Sequence, residues 1–335
     1  MVSAAVVILN WNGEEHLRRF LPSVVQHTPR GVDVVVVDNG STDSSVGVLK
    51  REFESVRVVE LGENYGFAAG YNEALRRLDY ECYVLLNSDV EVTEGWCAPL
   101  LGELYSSEDV GAVSPKILSC AEPSKFEYAG ASGGYIDILG YPFCRGRILK
   151  TTEVDEGQYD DARDLFWVSG AAFAIRAEVF EQMGGFDADF FAHMEEIDLC
   201  WRLQLRGYRV RVVPQSVVYH LGGGTLAEDS PSKIYLNHRN NLAMLYKCAS
   251  PGQRALVAVV RPVLDMAAAV SYLVKGRVRN FWAVFRAYGS FVKWHFALAN
   301  KRREVRAGVV EESRYIYRGS IVWRYLWGLR RYSDM

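Results

Sequence analysis

No Cys-x-x-Cys pair occurs in the chain; Cys82, Cys97, Cys120, Cys144, Cys200 and Cys248 are scattered along it. Zinc-ribbon and thioredoxin-like chemistry therefore lose their sequence signature. Several of these cysteines sit in apolar runs and read as small hydrophobes, which favours a reducing compartment. The N-terminus carries no basic leader, and its first apolar run stops at Asn10, which is too short for a signal peptide. Acidic residues are scarce toward the end. Residues 231–335 hold 19 Lys+Arg against 5 Asp+Glu, or +14, whereas residues 1–230 hold 19 against 36, or −17, and together they give the formal charge of −3. A basic, aromatic-rich tail on an acidic body points to an anionic partner such as a phospholipid surface, a polyprenyl diphosphate or a nucleic acid. No nucleic-acid recognition motif accompanies the charge, so that partner is set aside.

What is present is strand–helix alternation. The 335 residues allow one large domain or two smaller ones. Strands are expected at Ala4 to Leu9, Val32 to Val37, Val56 to Glu60 and from Val84 onward, each followed by a polar or glycine turn and a helical pattern. Ser41, Thr42 or Asp43 is expected to cap the helix near residues 44–53. This β-α-β-α-β-α-β order argues for an α/β, doubly wound, mostly parallel sheet. Right-handed crossovers then gather the strand-end turns on one rim: Asn10 to Asn12, Asp38 to Asp43, Asn64 to Gly66 and Asn87 to Asp89. A nucleotide fits such a rim. Asp38 can accept from a base or ribose, Trp11 can lie against a ring, and the glycines around Asn64 and Gly66 let a phosphate or ribose approach the backbone.

Val84 to Val92 reads as a buried strand running into Asn87, Ser88 and Asp89, with Asn87 and Asp89 leaving the same side. A carboxylate beside an amide oxygen there suits Mg²⁺ or Mn²⁺, although an ordinary Asn/Ser/Asp turn has the same composition. Residues 119–164 read as short antiparallel strands plus an acidic loop, and Ser169-Gly170-Ala171 is small enough for a close ligand. A helix is expected from Glu195, with Ile197, Trp201 and Leu205 inward and Asp198 paired to Arg202. Glu195 and Glu196 in its first turn are either dipole-stabilised carboxylates or a general base facing a pocket walled by Phe190 and Phe191. Strands are expected at Arg209 to Val213 and Ser216 to Tyr219. His220, before Gly222-Gly223-Gly224-Thr225, is either a surface residue or a metal ligand.

Taken in order, Val6-Val7-Ile8-Leu9-Asn10-Trp11-Asn12-Gly13, Val37-Asp38-Asn39-Gly40-Ser41-Thr42-Asp43, Glu63-Asn64-Tyr65-Gly66-Phe67-Ala68-Ala69-Gly70-Tyr71-Asn72, Leu85-Leu86-Asn87-Ser88-Asp89-Val90, Gly184-Gly185-Phe186-Asp187 with Glu195 to Arg202, and Tyr219-His220 resemble the family-two glycosyltransferases of the GT-A fold, especially the bacterial rhamnosyltransferase-like branch. The resemblance covers roughly residues 3–225. It implies a nucleotide-diphospho-sugar donor, Mg²⁺ or Mn²⁺, and single displacement with inversion onto a saccharide or polyprenyl-diphosphate-linked acceptor. By that resemblance Asp38 contacts the base or ribose and Asp89 is the last aspartate of a D-x-D metal motif. His220 completes the metal site, and Glu196 matches the catalytic base. Asn10, Trp11, Asn12, Asn64, Gly66, Asn87 and Ser88 fall in the donor-binding motifs. Two departures stand out. Asn87 replaces the usual first aspartate, which removes a charge from the metal site. Glu196 is one methylene longer than the usual aspartate, which leaves Glu195 as a second candidate base.

The domain expectation is a catalytic unit over residues 1–250, with a nucleotide half to about 115 and an acceptor half to 250, then a helical extension over 251–335. Residues 232–250 read as a helix. Ala255 to Val274 is apolar but interrupted by Arg261, Pro262 and Asp265, a poor membrane span. Residues 277–303 mix Arg and Lys with Phe281, Trp282, Phe285, Tyr288, Phe291, Trp294 and Phe296, which suits a bilayer interface or packing on the body or in a homodimer. The expected location is cytoplasmic and peripheral on the inner face of the cytoplasmic membrane. Two rival functions remain at this point. A sugar-phosphate nucleotidyltransferase wants a basic, glycine-rich loop after the first strand, which Asn10 to Gly13 lacks. A noncatalytic nucleotide-sugar or membrane-binding module would have no use for an acid at position 196.

Overall fold

The computed structural model describes residues 2–222 and 230–335; Gly223, Gly224 and Thr225 of the expected glycine loop lie outside the described residues. The chain begins β1 (Ala4–Asn10), α1 (Glu14–His27), β2 (Val32–Asp38), α2 (Ser45–Glu52), β3 (Arg57–Glu60), α3 (Gly66–Arg76), β4 (Cys82–Asn87), β5 (Val90–Val92), α4 (Cys97–Leu104) and β6 (Val110–Ser119). An insertion of short strands follows: β7 (Gly134–Asp137), β8 (Pro142–Cys144), β9 (Arg147–Ile148) and β10 (Thr151–Thr152). The main body resumes with β11 (Arg163–Asp164), β12 (Ala172–Arg176), α5 (Ala177–Gln182), α6 (Glu195–Leu205) and β13 (Arg209–His220). Helices α7 (Pro231–Cys248), α8 (Pro251–Val274), α9 (Val278–Lys293) and α10 (His295–Ala307) precede β14 (Ile316–Tyr317) and α11 (Ile321–Leu326).

The main sheet runs β11-β13-β6-β12-β4-β1-β2-β3, with β5 added on β13. Strands β4, β1, β2 and β3 pair in parallel, as do β6 and β13, while β12, β5 and β11 run against their neighbours. The expected α/β sheet is present. Val84 to Leu86 and Ala4 to Ile8 are buried on both faces, as a sheet covered by helices on each side requires. Helix α1 turns Leu17, Leu21 and Val24 onto it, at i, i+4 and i+7; each buried side chain stabilises by roughly 2 kcal/mol.

Register decides where chemistry can sit. Asn10 lies opposite Asp38, Leu9 opposite Asn87, and Leu86 opposite Ala172. The C-terminal ends of three parallel strands are thus level on one rim.

Several expectations need correction. The run Val84 to Val92 is not one strand. It stops at Asn87, turns through Ser88 and Asp89, and leaves as β5, because Val90 to Val92 pairs antiparallel with Val218 to His220. Asn87 and Asp89 therefore do not share one strand face. The two strands expected between Arg209 and Tyr219 are one strand, β13, with an irregularity between Val213 and Val217 that absorbs Pro214. The basic, aromatic stretch over 277–303 forms two helices, α9 and α10, joined at Trp294.

The last residues return to the insertion, which the sequence did not signal. Strand β14 pairs with β7, Ile321 N–H donates to Asp137 at 2.9 Å, and Tyr332 stacks on Tyr135 with ring centres 5.7 Å apart.

Helix α8 is long and apolar enough to cross a membrane, judged by length and composition. Its inward face says otherwise. Gln253, Arg261 and Asp265 are buried. Arg261 donates to the Leu139 carbonyl at 2.8 Å and to Asn241 at 2.6 Å, and the Tyr141 and Tyr288 hydroxyls donate to Asp265 at 3.2 and 2.7 Å. Placing Arg261 and Asp265 in hydrocarbon costs roughly 2.5–3.5 kcal/mol each and strands these partners. α8 lies along the body.

Candidate functional site

The β1–α1 and β2–α2 turns are laced together by their own short side chains. Asn12 adopts φ 50° and its side-chain Oδ1 accepts from Thr42 N–H at 2.7 Å, while its backbone N–H donates to the Ser41 hydroxyl at 2.9 Å. Asp43, among the expected caps, accepts from the backbone of both Ser45 and Glu14 at 3.0 and 3.1 Å. Asn10 is buried and reaches Ser41 at 3.3 Å. Asp38 is buried and accepts from Ser41 N–H at 3.0 Å through one oxygen. Among the described residues, the other Asp38 oxygen and Asn10 Oδ1 have no hydrogen-bond partner. Unmet buried acceptors are costly, so these two mark where donor groups of a ligand belong. Trp11 stands on the same rim, 46% exposed.

The Asn64–Gly66 turn is organised differently from the expectation. Asn39 donates to Asn64 at 3.2 Å and to the Gly66 carbonyl at 2.9 Å. Gly66 has φ +76°, and a Cβ there would lie 2.5 Å from the Phe191 ring. The close approach at Gly66 is made by Phe191, whose carbonyl accepts from Phe67 and Ala68 N–H at 2.6 and 3.2 Å. That carbonyl takes the N-terminus of α3, where the sequence left room for a phosphate.

Asp89 and His220 meet where β5 pairs with the end of β13. Their nearest atoms, Asp89 Oδ1 and His220 Nε2, are 3.2 Å apart, and Glu127 stands 3.5 Å behind the other imidazole nitrogen. All three are buried. Burial alone would raise the Asp89 carboxyl, but the hydrogen bond and charge of His220 outweigh it and hold Asp89 below its usual range. Burial would lower His220; the flanking Asp89 and Glu127 win and lift it to about 10. A carboxylate oxygen and an imidazole nitrogen converging in this way could serve as a two-residue donor set for Mn²⁺ once the ion displaces the imidazolium proton, with the carboxylate behind the histidine fixing its ring. Among the described residues no group of three or more His, Cys, Asp or Glu side chains is placed to hold a metal, so further ligands would come from substrate oxygens and water. Ser88 lies near Gly13, 3.7 Å from where a Cβ on that glycine would stand.

Glu195 and Glu196 open α6. The loop before them is strained: Phe191, His193 and Met194 have φ of 64°, 71° and 73°, each costing about 1 kcal/mol or more. Asn240 of α7 holds it, donating to the carbonyls of Phe190, Ala192 and His193 at 3.0, 2.9 and 2.7 Å, and Arg239 donates to those of Asp189 and Phe190 at 3.1 and 2.9 Å. Below the helix, Lys247 bridges Asp187 and Asp198 at 2.5 and 2.8 Å, and Asp198 pairs with Arg202 at 2.8 Å as its spacing suggests. Phe190 is part of the core and packs against Lys247, so it walls no pocket; Phe191 is the exposed one.

Glu195 is buried and Glu196 partly so; among the described residues, one oxygen of each has no partner. Burial, then the neighbouring Glu196 charge, pushes Glu195 well above the usual carboxyl range. Burial pushes Glu196 to about 7. The Glu196 carboxyl carbon is 3.8 Å from where a Cβ on Gly170 would stand. One residue on, the Ala171 carbonyl accepts from Asn87 N–H at 2.9 Å. Glu196 and the end of β4 thereby approach adjacent residues, Gly170 and Ala171, although 109 residues separate Glu196 from Asn87 in sequence. Glu127, Arg239, Asn240 and Lys247 escaped the sequence reading. Lys247 and Asn240 sit at helical positions that look like a polar face, and Glu127 lies in an irregular segment without period.

The sequence profile described as "Glycosyl transferase family 2" matches residues 5–184, and "Glycosyl transferase family group 2" matches residues 155–230. The N-acetylglucosaminyl-diphospho-decaprenol L-rhamnosyltransferase of Mycobacterium tuberculosis is 28% identical over 258 residues, spanning 72% of this chain and 83% of that one. The pre-mycofactocin glycosyltransferase of the same organism is 30% identical over 64% of this chain and 42% of its own length. Among solved structures, the mannosyltransferase PcManGT from Pyrobaculum calidifontis, in complex with GDP-Man and Mn²⁺, superposes with a TM-score of 0.54 at 17% identity, covering 92% of this chain and 84% of that one. GalNAc-T7 with UDP, GalNAc and Mn²⁺ gives 0.60 at 18% identity, over 78% of this chain and 51% of that one. These likenesses show the GT-A fold. The chain belongs to glycosyl transferase family 2 and is a glycosyltransferase that uses a nucleotide-sugar donor.

Proposed function

We propose that this glycosyltransferase is metal-dependent and inverting, and that it moves a sugar, rhamnose being the first candidate, onto a hydroxyl of a lipid-linked saccharide. The relative named as a decaprenol-linked L-rhamnosyltransferase supports both the sugar and the acceptor class, and the Mn²⁺ in the two superposed structures supports the ion. The donor half is residues 1 to about 115, the acceptor half reaches 250, and 251–335 is an extension. Cysteines 82, 97, 120, 144, 200 and 248 are all free thiols, which fits work on the cytoplasmic side.

In this reading Asp38 and Asn10 accept hydrogen bonds from the nucleoside, Trp11 lies against a ring, and Asn12, Asn64 and Gly66 shape the turns around it. Asn87 and Ser88 line the diphosphate path, and Asp89 and His220 hold the divalent ion. When bound, that ion supplies positive charge to the departing nucleoside diphosphate. Glu196, set against Gly170, takes the proton from the attacking acceptor hydroxyl. Its raised pKa makes it a stronger base than a solvated carboxylate while leaving it ionised above about pH 7. Glu195, deeper and held protonated, is the lesser candidate and keeps a second negative charge out of the pocket. A base on the face opposite the leaving group gives inversion.

The observation that carries this reading is the Glu196 carboxylate oxygen that has no partner among the described residues, set against Gly170 beside the hook between Asn87 and Ala171. The test is Glu196→Gln. It should keep the Mn²⁺-dependent thermal stabilisation given by the best of dTDP-, UDP- and GDP-sugars, while turnover falls at least ~100-fold. Undiminished turnover would remove Glu196 from the mechanism. A donor at about 100 times its Kd adds about 2.7 kcal/mol, which a melting experiment resolves.

A further inference from the structure

Helix α8 is built inside out. Its buried positions are Gln253, Val257, Arg261, Asp265 and Ala269, four apart and mostly polar. Its large exposed side chains include Leu256, Val259, Val263, Met266, Val270 and Leu273, an apolar row alternating three and four apart. Val259, Val263 and Val274 are 72%, 68% and 83% exposed. Helix α9, packed on α8, repeats the arrangement. It buries Asn280, Ala283, Val284 and Ala287 and exposes Val278, Trp282, Phe285 and Val292, with Phe296 of α10 continuing the row. A contiguous apolar face of this kind needs an occupant.

Two features choose that occupant. The α8 positions flanking its row, Ala255, Pro262, Ala267 and Val274, are uncharged, whereas a helix pair formed with a second copy usually sets charges there. Between Met266 and Arg303 the sequence holds eight Lys or Arg and no Asp or Glu. Lys275, Arg279 and Lys293 border the row and are exposed. Two such surfaces repel each other, whereas an anionic bilayer attracts them, and an exposed Trp beside a basic cluster suits the headgroup layer.

We infer that α8 and α9 form a docking face for an anionic phospholipid surface, lying in its plane with the Val259–Val263–Val270 row in the acyl boundary and Lys275 and Arg279 among the headgroups. The inference deepens the lipid-linked acceptor proposal and rests on it for its purpose, but its test needs neither donor nor acceptor.

The experiment is flotation of the full-length chain with vesicles of phosphatidylcholine alone or with phosphatidylglycerol added. The native chain should float with the anionic vesicles, weakly or not at all with the neutral ones, and less as salt is raised. Val259→Glu combined with Val263→Glu should reduce flotation at least about tenfold. Lys275→Glu with Arg279→Glu should do so on anionic vesicles by a similar factor. Both pairs should leave donor-dependent thermal stabilisation and transfer to a short soluble acceptor unchanged, which shows that they fold. A native chain that ignores anionic vesicles overturns the inference. So does a stable dimer in light scattering that Val259→Glu with Val263→Glu converts to monomer. Loss of transfer in Glu196→Gln with flotation intact would separate the two proposals.

Discussion

Glu195 and Glu196 set the pH behaviour. Both carboxyls are raised in the folded protein, Glu196 to about 7, so the folded state holds protons that the unfolded state releases in the ordinary carboxyl range. Stability from this source is full below that range and is lost as pH rises through about 7. Glu195→Gln removes one of the two acids. Its melting temperature should exceed that of the native chain by about 2 °C or more near pH 8 and match it near pH 4. Turnover runs the other way: kcat should climb as Glu196 ionises, levelling above about pH 7, and a flat profile would count against that residue. At the proposed ion site, Glu127 would act through His220. Glu127→Gln should weaken Mn²⁺ binding by about 10- to 100-fold in calorimetry while leaving nucleotide binding in metal-free buffer near native.

Among elements, the loop between η-turn residues Ala188–Phe190 and α6 matters most. Three residues with positive φ persist there because Asn240 and Arg239 over-determine them. Asn240→Ala leaves three carbonyls without that donor and should destabilise by roughly 2–3 kcal/mol, seen as a lower denaturant midpoint, with kcat falling more than donor affinity. This is also where sequence reading ran out. The strand ends Asn10, Asp38 and Asn87 were legible because period-two and continuous apolar runs stop abruptly at polar turns. The helix from Glu195 was legible from its inward stripe. Which long-range partner takes each orphan group was not. Val90 to Val92 carries no strand reading of its own until β13 claims it, and Gly66 reads as room for a ligand until Phe191 fills it. Pairing over such separations follows from tertiary packing, and local pattern carries no trace of it.

The whole molecule is a closed circuit. Residues 309–335 return from the last helices to clasp the insertion, through β14 on β7 and Tyr332 N–H on Glu153 at 2.8 Å, and meet the main sheet where the Tyr315 hydroxyl donates to Asp164 at 2.9 Å. Ending the chain after Gly308 should uncover Tyr135 and Phe143, lower the melting temperature and broaden the transition, as calorimetry would register; an unchanged, equally sharp transition would show the clasp to be dispensable. One backbone oxygen also joins the two halves of the catalytic unit. Phe191 hands its carbonyl to the first turn of α3, so the segment that leads into Glu195 and Glu196 is latched to the helix that opens at Gly66. A methyl group added at Gly66 would lift that latch. Its kinetic signature should be slower proton removal, produced by a change made well over a hundred residues upstream of the acid it disturbs.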